Sequence, residues 1–532
     1  MSEKKSFIKG AAILSLSGIL VKLLGAALRI PLVNKLGDGM AYYNVAYSIY
    51  GVFLVLATAG IPVAVSRMVS ERIAMGNDVG ARKVLRVSVK LTAFIGAVSF
   101  CLCFFGADLI AYQVGIPDAA LSLRAVAPAL CLVPVLSAFR GYFQGKHNMM
   151  PTALSETAEQ IIRVFAGLGL AFSLYAQGLD VSAAGATFGA AVGAAGGILV
   201  MIAVYLLERK KSLSAKYLAR QESEWAVLKK IIWIAVPIII GAEIMPLMSV
   251  IDTSMIATRL QATGWTKEQA LNLYSQYGAY CDTLISLPQA FTQAIAIGLV
   301  PSIAGFYWQK RRQQVEETVQ LSMRMTMLMA CPCAVGLFVL AEPVLLTLFY
   351  QQAENAVEAA DTLRVMTVGI LFLAVSQTTT GSLQAIDKQI LPVRNLLIGA
   401  VMKMVLTYTL VSIPAIHVRG AAIGTNGAYL VAMVLNLWAV KKYIGVKYDV
   451  VSVFVKPAAA AVIMGICVYA AANLTWTYAG AGFWGCLLTT AVGISVGILS
   501  YSAAVLRLSV VSREELEAIP YVGAKIKKWV DK

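Results

Sequence analysis

Residues 123–145 read LRAVAPALCLVPVLSAFRGYFQG, and a variant of this stretch, LRVMTVGILFLAVSQTTTGSLQA, returns at residues 363–385. In both copies a Leu-Arg pair is followed at the same spacing by Gly-x-x-Gln, and the offset between the copies is 240 residues. A second pair of positions, Pro62 and Pro301, stands 239 residues apart. Two independent matches at nearly one offset indicate that the chain contains an internal duplication.

The composition is typical of a membrane protein with many transmembrane helices. Of 532 residues, 59% are hydrophobic and only 14% are charged, which is too little charge for the surface of a soluble protein of this length. The longest polar interruption, from Glu208 to Lys230, leaves no room for a soluble catalytic domain. The basic N-terminus has no small-x-small cleavage site, so we expect it to remain as the first helix.

Fourteen apolar stretches are long enough to cross a bilayer, since about 20 apolar residues suffice at a rise of 1.5 Å each. The predicted spans are residues 7–33, 45–66, 91–112, 123–143, 153–176, 182–207, 231–257, 277–305, 324–350, 362–385, 392–415, 420–440, 455–473 and 483–507. An even number of spans places both ends of the chain on one side of the membrane.

Lysine and arginine are concentrated in alternate connections between these spans. The second, sixth and eighth connections are rich in both residues and the twelfth has three lysines, whereas the ninth and thirteenth contain neither residue. By the positive-inside rule, both termini are then cytoplasmic, in a bacterial inner membrane. The formal net charge of +16 is explained by this topology and by attraction to anionic lipid, and it does not indicate nucleic-acid binding.

The duplication and the span count together predict the domain organisation. Six helices per copy preserve orientation, so the copies are parallel repeats about an axis along the membrane normal, an arrangement typical of transporters. The amphipathic, basic C-terminus is expected to lie on the inner membrane surface. The predicted parts are an N-lobe at 1–207, a basic cytoplasmic linker at 208–230, a C-lobe at 231–441, two extra helices at 442–508 and the tail at 509–532.

Two cations interrupt the first span, in VKLLGAALRIPLV at residues 21–33. Lys22 and Arg29 are two helical turns apart, so they share one face at a separation of about 10 Å. A cation at the centre of a span costs roughly 2.5–3.5 kcal/mol. Arg binds a pyrophosphate in bidentate geometry and Lys binds it as a point charge. We therefore predict that both face a hydrated cavity and bind an anionic headgroup; snorkelling or a structural ion pair is the alternative.

The fifth span carries acids and a cation on one helix, in SETAEQIIRV. Glu159 and Arg163 stand in the i,i+4 order that favours a salt bridge. The pattern predicts either a bridge that fixes the helix or a substrate-binding network in the cavity that exchanges partners.

The seventh and eleventh spans supply further candidates. Pro237 and Pro246 should bend the seventh helix. Glu243 and Asp252 are nine residues apart and point to opposite faces, so they are not a catalytic pair. Asp252 is the better candidate for a proton or cation site. Lys403, deep in the eleventh span, is a candidate substrate-binding cation of the C-lobe, with an ion pair across the bundle as the alternative.

Four stretches resemble the stage V sporulation protein B/YtgP branch of the multidrug/oligosaccharidyl-lipid/polysaccharide exporter superfamily, whose nearest functional relatives are MurJ-type lipid II flippases. The likeness covers essentially the whole chain. It implies a transporter, not an enzyme, that moves an undecaprenyl-pyrophosphate-linked saccharide, foremost the peptidoglycan precursor lipid II, to the outer leaflet by alternating access. It also implies two six-helix lobes around a cavity and a groove for the lipid tail at helices thirteen and fourteen. The stretches are FIKGAAILSLSGILVKLLGAALRIPLVNKLGDG, TAGIPVAVSRMVSER, RGYFQGKHNMMPTALSETAEQIIRV and LISLPQAFTQAIAIGLVPSIA.

The cations of the MurJ-type pattern are matched only in part. Lys22 stands three residues before Gly25, where the pattern has a basic residue, and Arg29 is displaced by one position from the second. Thr283 replaces the basic residue expected on helix eight.

The sodium site of related members is also matched only in part. Those members use an Asp on helix seven, an Asn and an Asp one turn apart on helix eleven, and a Thr on helix twelve. Asp252, Asn395 and Thr425 match, but Gly399 stands in place of the second acid. Na+ or H+ is the candidate coupling ion, and no other cofactor and no bound metal is predicted.

Other functions are open at this stage. A multidrug extruder needs acidic cavity residues, whereas the deep charges here are mainly basic. A glycosyltransferase, ligase or polymerase acting on the same lipid carrier would need a metal cluster, a nucleotide loop or paired acids, and none stands out. A scaffold in envelope assembly and an exporter of another lipid-linked polysaccharide precursor also fit. Membrane lipid and cell-wall synthesis proteins are the expected partners, and nucleic acid is not.

Overall fold

A computed structural model describes residues 2–211 and 222–510, and this part of the chain is helical throughout, without a β-strand. Two turns of π-helix, Gln276–Cys281 and Val451–Val455, precede the twelfth and eighteenth α-helices. The α-helices are α1 (Ser2–Leu36), α2 (Met40–Thr58), α3 (Ile61–Ala74), α4 (Asp78–Phe105), α5 (Ala107–Gln113), α6 (Ala120–Gly145), α7 (Met150–Leu174), α8 (Leu179–Lys211), α9 (Glu224–Ala242), α10 (Ile244–Ala262), α11 (Lys267–Ser275), α12 (Asp282–Trp308), α13 (Arg312–Val339), α14 (Ala341–Leu348), α15 (Ala353–Ala385), α16 (Ile390–Leu410), α17 (Arg419–Tyr443), α18 (Lys456–Ala479) and α19 (Phe483–Arg507).

The predicted all-α membrane fold is confirmed. In the described residues, 12 helical stretches are long and apolar enough to cross a membrane. One of them, Leu20–Ala74, contains residues 20–33 of the first predicted span and all of the second. The eighth predicted span corresponds to α12, which is not among the twelve stretches. Each predicted span coincides with one or two helices, whereas the count of fourteen and the cytoplasmic location of the termini stay predictions.

The chain divides into two compact units, which we describe separately. Unit 1 comprises Met1–Thr283 and Lys403–Gly424, and unit 2 comprises Leu284–Met402 and Thr425–Lys532. The predicted lobe boundaries stay a prediction. Ten of the 23 residues of the predicted linker, residues 212–221, and nearly all of the predicted tail, residues 511–532, lie outside the described residues.

Glycines bring α7 and α8 together in unit 1. Gly185, Gly189, Gly193 and Gly197 recur every four residues on α8, a small-residue pattern that lets helix backbones approach closely. A Cβ at Gly193 would lie 2.6 Å from the backbone oxygen of Glu159. Because α7 meets α8 through its backbone, the polar side chains of α7 project elsewhere.

The repeat-related glycines have the same role in both units. A Cβ at Gly141 on α6 would lie 2.7 Å from the backbone oxygen of Pro62 on α3. A Cβ at Gly381 on α15 would lie 2.8 Å from the backbone oxygen of Ala296 on α12. The Gly-x-x-Gln motif therefore marks a site of close helix packing in each copy.

The seventh predicted span is interrupted between its two prolines, as expected. Helix α9 ends at Ala242 and α10 begins at Ile244, because Pro246 has no N–H to donate to the carbonyl four residues earlier. Glu243 lies at this junction and is buried, and neither of its carboxylate oxygens has a hydrogen-bond partner within the described part of the chain.

Unit 2 is held together by apolar packing and neutral hydrogen bonds. Helices α13, α15 and α18 share a buried cluster that includes Met323, Val375 and Ala461. Asn395 on α16 donates to Asn436 on α17 at 2.9 Å, and Asn436 in turn donates to Thr380 on α15 at 3.2 Å. These amide and hydroxyl groups fix the three helices without buried charge.

Candidate functional site

Arg29 is held by three groups of unit 1. Its Nη2 donates to Asn44 Oδ1 at 2.8 Å and to the Gly278 carbonyl at 2.9 Å, and its Nη1 lies 3.6 Å from the Asp282 carboxylate. The side chains of Arg29 and Asp282 are 26% and 54% exposed. An ion pair with this much exposure is weak, so an incoming anion can replace Asp282 at the guanidinium.

The Gly278 carbonyl reaches Arg29 because it belongs to the π-helical turn Gln276–Cys281. A π-helical turn interrupts the regular α-helical ladder of hydrogen bonds, and such turns recur at functional sites. A Cβ at Gly278 would lie 3.2 Å from Asn44 Nδ2. Glycine therefore permits the close approach of α2 that places Asn44 next to Arg29.

Lys22 lies on the same helix as Arg29, about two turns closer to the N-terminus, and it is exposed. Unit 1 thus leaves the predicted cationic face of α1 accessible at Lys22 and half-covers it at Arg29. Thr283, which replaces the expected cation of helix eight, is buried and donates to its own helix at Ala279 O at 2.5 Å.

Of the two alternatives for Glu159 and Arg163, the bridge between them is wrong, whereas the substrate-binding network stays a prediction. Glu159 accepts from Arg140 on α6 at 2.7 Å instead, and Arg140 also donates to Ser155 at 3.0 Å. The guanidinium of Arg163 lies 4.8 Å from the ring centroid of Tyr47 on α2, a cation–π contact. Arg140 reaches Glu159 across the helix interface, and a guanidinium paired with both a carboxylate and a hydroxyl is better satisfied than one in a bond along a single helix.

Asp252 and Lys403 lie together in unit 1, where Lys403 Nζ donates to Asp252 Oδ2. Their side chains are only 13% and 9% exposed. This is the ion pair across the bundle that the sequence left as the alternative for Lys403. Their predicted roles in ion coupling and substrate binding stay predictions.

The other two coupling-ion candidates belong to unit 2 and are both buried. Asn395 is bonded to Asn436, and its Oδ1 accepts from Arg394 at 3.4 Å; Thr425 is 8% exposed. A Cβ at Gly399 would lie 2.6 Å from the backbone oxygen of Ala428, so α17 fills the place of the second acid. Among the residues that the structure describes, no three His, Cys, Asp or Glu side chains are placed to bind a metal ion.

Sequence reasoning missed the partners of the cations. Asn44, Gly278 and Asp282 are separated from Arg29 by 15 residues or more, and no local pattern connects them. The sequence did contain a signal for Arg140, because it is a cation within an apolar span. The equivalent position in the second copy, 240 residues later, is the neutral residue Thr380.

Unit 2 contains an apolar groove with a volume of about 610 Å³. Helices α12, α13, α14, α18 and α19 form its walls, so the two helices beyond the duplication contribute to it. Tyr501 closes one side and donates to the Leu328 carbonyl at 2.9 Å. Residues Leu287, Phe291, Pro332, Met464, Ile494 and Ile498 are typical of the lining.

The family described as polysaccharide biosynthesis protein matches residues 7–306, more than half of the chain. The chain belongs to this family. A second family, MatE, matches residues 237–409. The polysaccharide biosynthesis family and MatE thus overlap on this chain from residue 237 to residue 306.

Curated relatives from Bacillus subtilis are similar over most of their length. The uncharacterized membrane protein YabM is 27% identical over 98% of this chain and 96% of its own. The lipid II flippase MurJ is 29% identical over 85% of each chain. Stage V sporulation protein B is 24% identical over 98% of this chain and 99% of its own. The relatives place this multi-pass membrane protein with bacterial proteins.

Solved structures show the same fold. The lipid II flippase MurJ in an inward closed conformation has a TM-score of 0.68 at 17% identity, covering 94% of this chain and all of that one. A multidrug resistance MATE transporter of the MOP superfamily in an inward-facing conformation has a TM-score of 0.67 at 16% identity, covering 82% of this chain and 98% of that one. These proteins are transporters rather than enzymes.

Proposed function

We propose that this protein is a flippase for a polyprenyl-pyrophosphate-linked saccharide, and that its substrate is lipid II. The observation that carries the proposal is the accessible cationic face of α1. Arg29 is held by an exposed, exchangeable carboxylate and two neutral oxygens, which suits a guanidinium that passes from a protein partner to a pyrophosphate. Lys22 on the same face provides a second charge for the same anion.

The apolar groove of unit 2 supports the lipid-linked nature of the substrate. A groove of about 610 Å³ lined by aliphatic and aromatic side chains offers an environment for a polyprenyl tail but none for a sugar. An export substrate with a charged head and a long apolar tail would use both features. The similarity to a lipid II flippase supports lipid II within this class.

A second candidate is another lipid-linked saccharide. Stage V sporulation protein B matches nearly the full length of both chains, which favours a substrate pool used during sporulation. A multidrug extruder is less favoured, because Asp252, a deep acid of unit 1, is already paired with Lys403. Cell-wall synthesis proteins stay predicted partners.

The test is rescue of a bacterium depleted of its only lipid II flippase. We expect wild type to restore growth and Arg29→Ala to fail, because each charge-assisted hydrogen bond to the pyrophosphate is worth about 1.5–3 kcal/mol. Arg124→Ala is the matched control, since Arg124 is also an arginine paired with an acid, Asp108, and their side chains are 39% and 69% exposed.

Membrane levels of each variant are measured alongside growth. Rescue by all three chains would keep the flippase and remove Arg29 from its headgroup site. Failure of well-expressed wild type would contradict lipid II as the substrate and favour another lipid-linked saccharide.

A further inference from the structure

Unit 1 contains a second cavity, which the proposed flippase function does not use. It has a volume of about 760 Å³ and lies between α4, α6, α8 and α9. We call it the α4 pocket, because the first half of α4 contributes most of its wall. The residues that define its chemistry are Arg82, Lys83, Arg86, Lys90, Phe139 and Tyr205.

The four cations of the α4 pocket are poorly neutralised. Lys90 donates to Glu224, the one acid in the lining, at 2.8 Å, and Lys83 donates to a backbone carbonyl, that of Glu222. Over residues 2–211 and 222–510, neither Arg82 nor Arg86 forms an ion pair with a carboxylate. Like charges four residues apart on a helix repel, so this arrangement is suited to a bound anion.

The rest of the connection to α9 cannot supply the missing negative charge. Residues 209–221 read RKKSLSAKYLARQ and contain five cations and no Asp or Glu. The anion that neutralises Arg82 and Arg86 must therefore come from another part of the chain or from outside it.

The second copy of the duplication shows that such a pocket is not a by-product of the fold. Helix α13 has the same length as α4, 28 residues. Counted from the helix start, an offset of 234 residues, its fifth, sixth and ninth residues are Glu316, Glu317 and Gln320, where α4 has Arg82, Lys83 and Arg86.

Two of these α13 residues are hydrogen-bonded to the chain that follows α17. Glu316 accepts from the Lys447 N–H at 2.8 Å, and Gln320 donates to the Lys447 carbonyl at 2.8 Å. The chain after α17 thus packs on α13. In unit 1, the corresponding surface of α4 instead lines an open cavity with the opposite charge.

We propose that the α4 pocket is a binding site for a phosphate group. Guanidinium groups bind phosphate oxygens in bidentate geometry, and Lys83 adds a point charge. Phe139 and Tyr205 give the pocket an apolar wall against which a glycerol or acyl segment packs. Trp225 and Trp233 on α9 are 72% and 77% exposed, and exposed tryptophans mark the membrane–water interface. The phosphate comes either from an anionic phospholipid headgroup or from free phosphate.

The experiment uses the purified full chain in a neutral detergent and follows its thermal unfolding. Phosphatidylglycerol, phosphatidylcholine and inorganic phosphate are titrated separately at constant ionic strength. The test variant is Arg82→Gln/Arg86→Gln. The matched control is Arg311→Gln/Arg312→Gln, which removes two exposed cations at the start of α13.

We expect phosphatidylglycerol, but not phosphatidylcholine, to raise the unfolding temperature of wild type and control. The concentration at half-effect should rise about tenfold or more in the test variant, since two charge-assisted hydrogen bonds are lost. An equal effect of inorganic phosphate would identify free phosphate as the ligand. An equal response of test and control variants would show general attraction of a basic surface and overturn the proposal.

A second variant separates loss of binding from loss of structure. Arg86→Gln alone removes one exposed cation and its repulsions with Arg82 and Lys90 on α4, so its unfolding temperature without lipid should match or exceed that of wild type. Its half-effect concentration should still rise. An unchanged half-effect concentration in this stable variant would also overturn the proposal.

Discussion

Arg140 and Glu159 form an ion pair in unit 1, whereas the positions 240 residues later in unit 2 are Thr380 and Gly399. In unit 2 the Thr380 hydroxyl accepts a hydrogen bond from Asn436, and Gly399 has no side chain and packs directly against α17. The contrast extends beyond this pair. Among the described residues, the buried charged ones all belong to unit 1, and the buried polar ones of unit 2 are Ser, Thr and Asn. Unit 1 thus contains the buried charge, including Glu243 and Lys403 from the second copy, whereas unit 2 relies on neutral close packing.

The largest expected effect follows from breaking the most buried charge pair. Lys403→Met should destabilise the protein by about 3–5 kcal/mol, because Asp252 would remain buried without a counter-charge. The measurement is the thermal midpoint in detergent. Asp252→Asn/Lys403→Met should recover most of the loss, since it removes both charges. A double variant as unstable as the single one would show that Lys403 acts through packing of its aliphatic chain.

A matched pair of variants tests the contrast between repeat positions directly. Arg140→Met should cost about 1–3 kcal/mol, because it leaves the carboxylate of Glu159 without its guanidinium. Thr380→Val should cost about 1 kcal/mol, since it removes one neutral hydrogen bond. Thermal unfolding of both variants gives the comparison. Equal losses would mean that the ion pair is no more important to stability than the hydroxyl that replaces it.

The groove of unit 2 can be filled without disturbing its walls. A Cβ at Gly336 on α13 meets only Met464 Cε, at 3.9 Å, so Gly336→Leu should project into the groove. We expect transport to fall several-fold while stability rises by up to about 1 kcal/mol, because leucine favours a helix over glycine.

Rescue and thermal unfolding are measured together for this variant. Gly169→Leu on α7 is the control, since a Cβ there meets no atom within 4 Å and Gly169 does not line the groove. Full rescue by Gly336→Leu would mean that the groove does not accommodate the substrate.

The smallest expected effect concerns the coupling ion. Lys403 already provides the counter-charge of Asp252, and the position of the second acid is occupied by Gly399 against α17. We predict that replacing Na+ by K+ or choline leaves transport in membrane vesicles unchanged. The Lys403→Met variant serves as the comparison, because it frees the carboxylate. Loss of wild-type transport without Na+ would contradict this prediction.

The helices were predictable from sequence, and the contacts between them were not. Hydropathy over about twenty residues locates spans such as α6 and α15, because the bilayer requires uninterrupted apolar helix. A cation within such a span, such as Arg29, is conspicuous for the same reason. Its partners Asn44 and Asp282 come from distant parts of the chain, and the π-helical turn that brings Gly278 close leaves no periodicity in the sequence.

The error at Glu159 has a related cause. A local rule assigned its partner as Arg163, four residues away, but Arg140 on a neighbouring helix offers a carboxylate–guanidinium contact together with Ser155. The rule holds for isolated helices, where only solvent competes with Arg163 for the carboxylate. In a packed bundle, side chains of neighbouring helices also compete for that carboxylate.

The glycine ladder of α8 has a mechanical consequence. The backbones of α7 and α8 approach closely at four glycines. If one helix slid along the other, backbone atoms of the two helices would collide at each turn. The two helices therefore move as one rigid body. If α7 and α8 move during a transport cycle, Glu159 and Arg163 move with them as parts of one rigid body. The distance from Glu159 to α6 and the distance from Arg163 to α2 then change together.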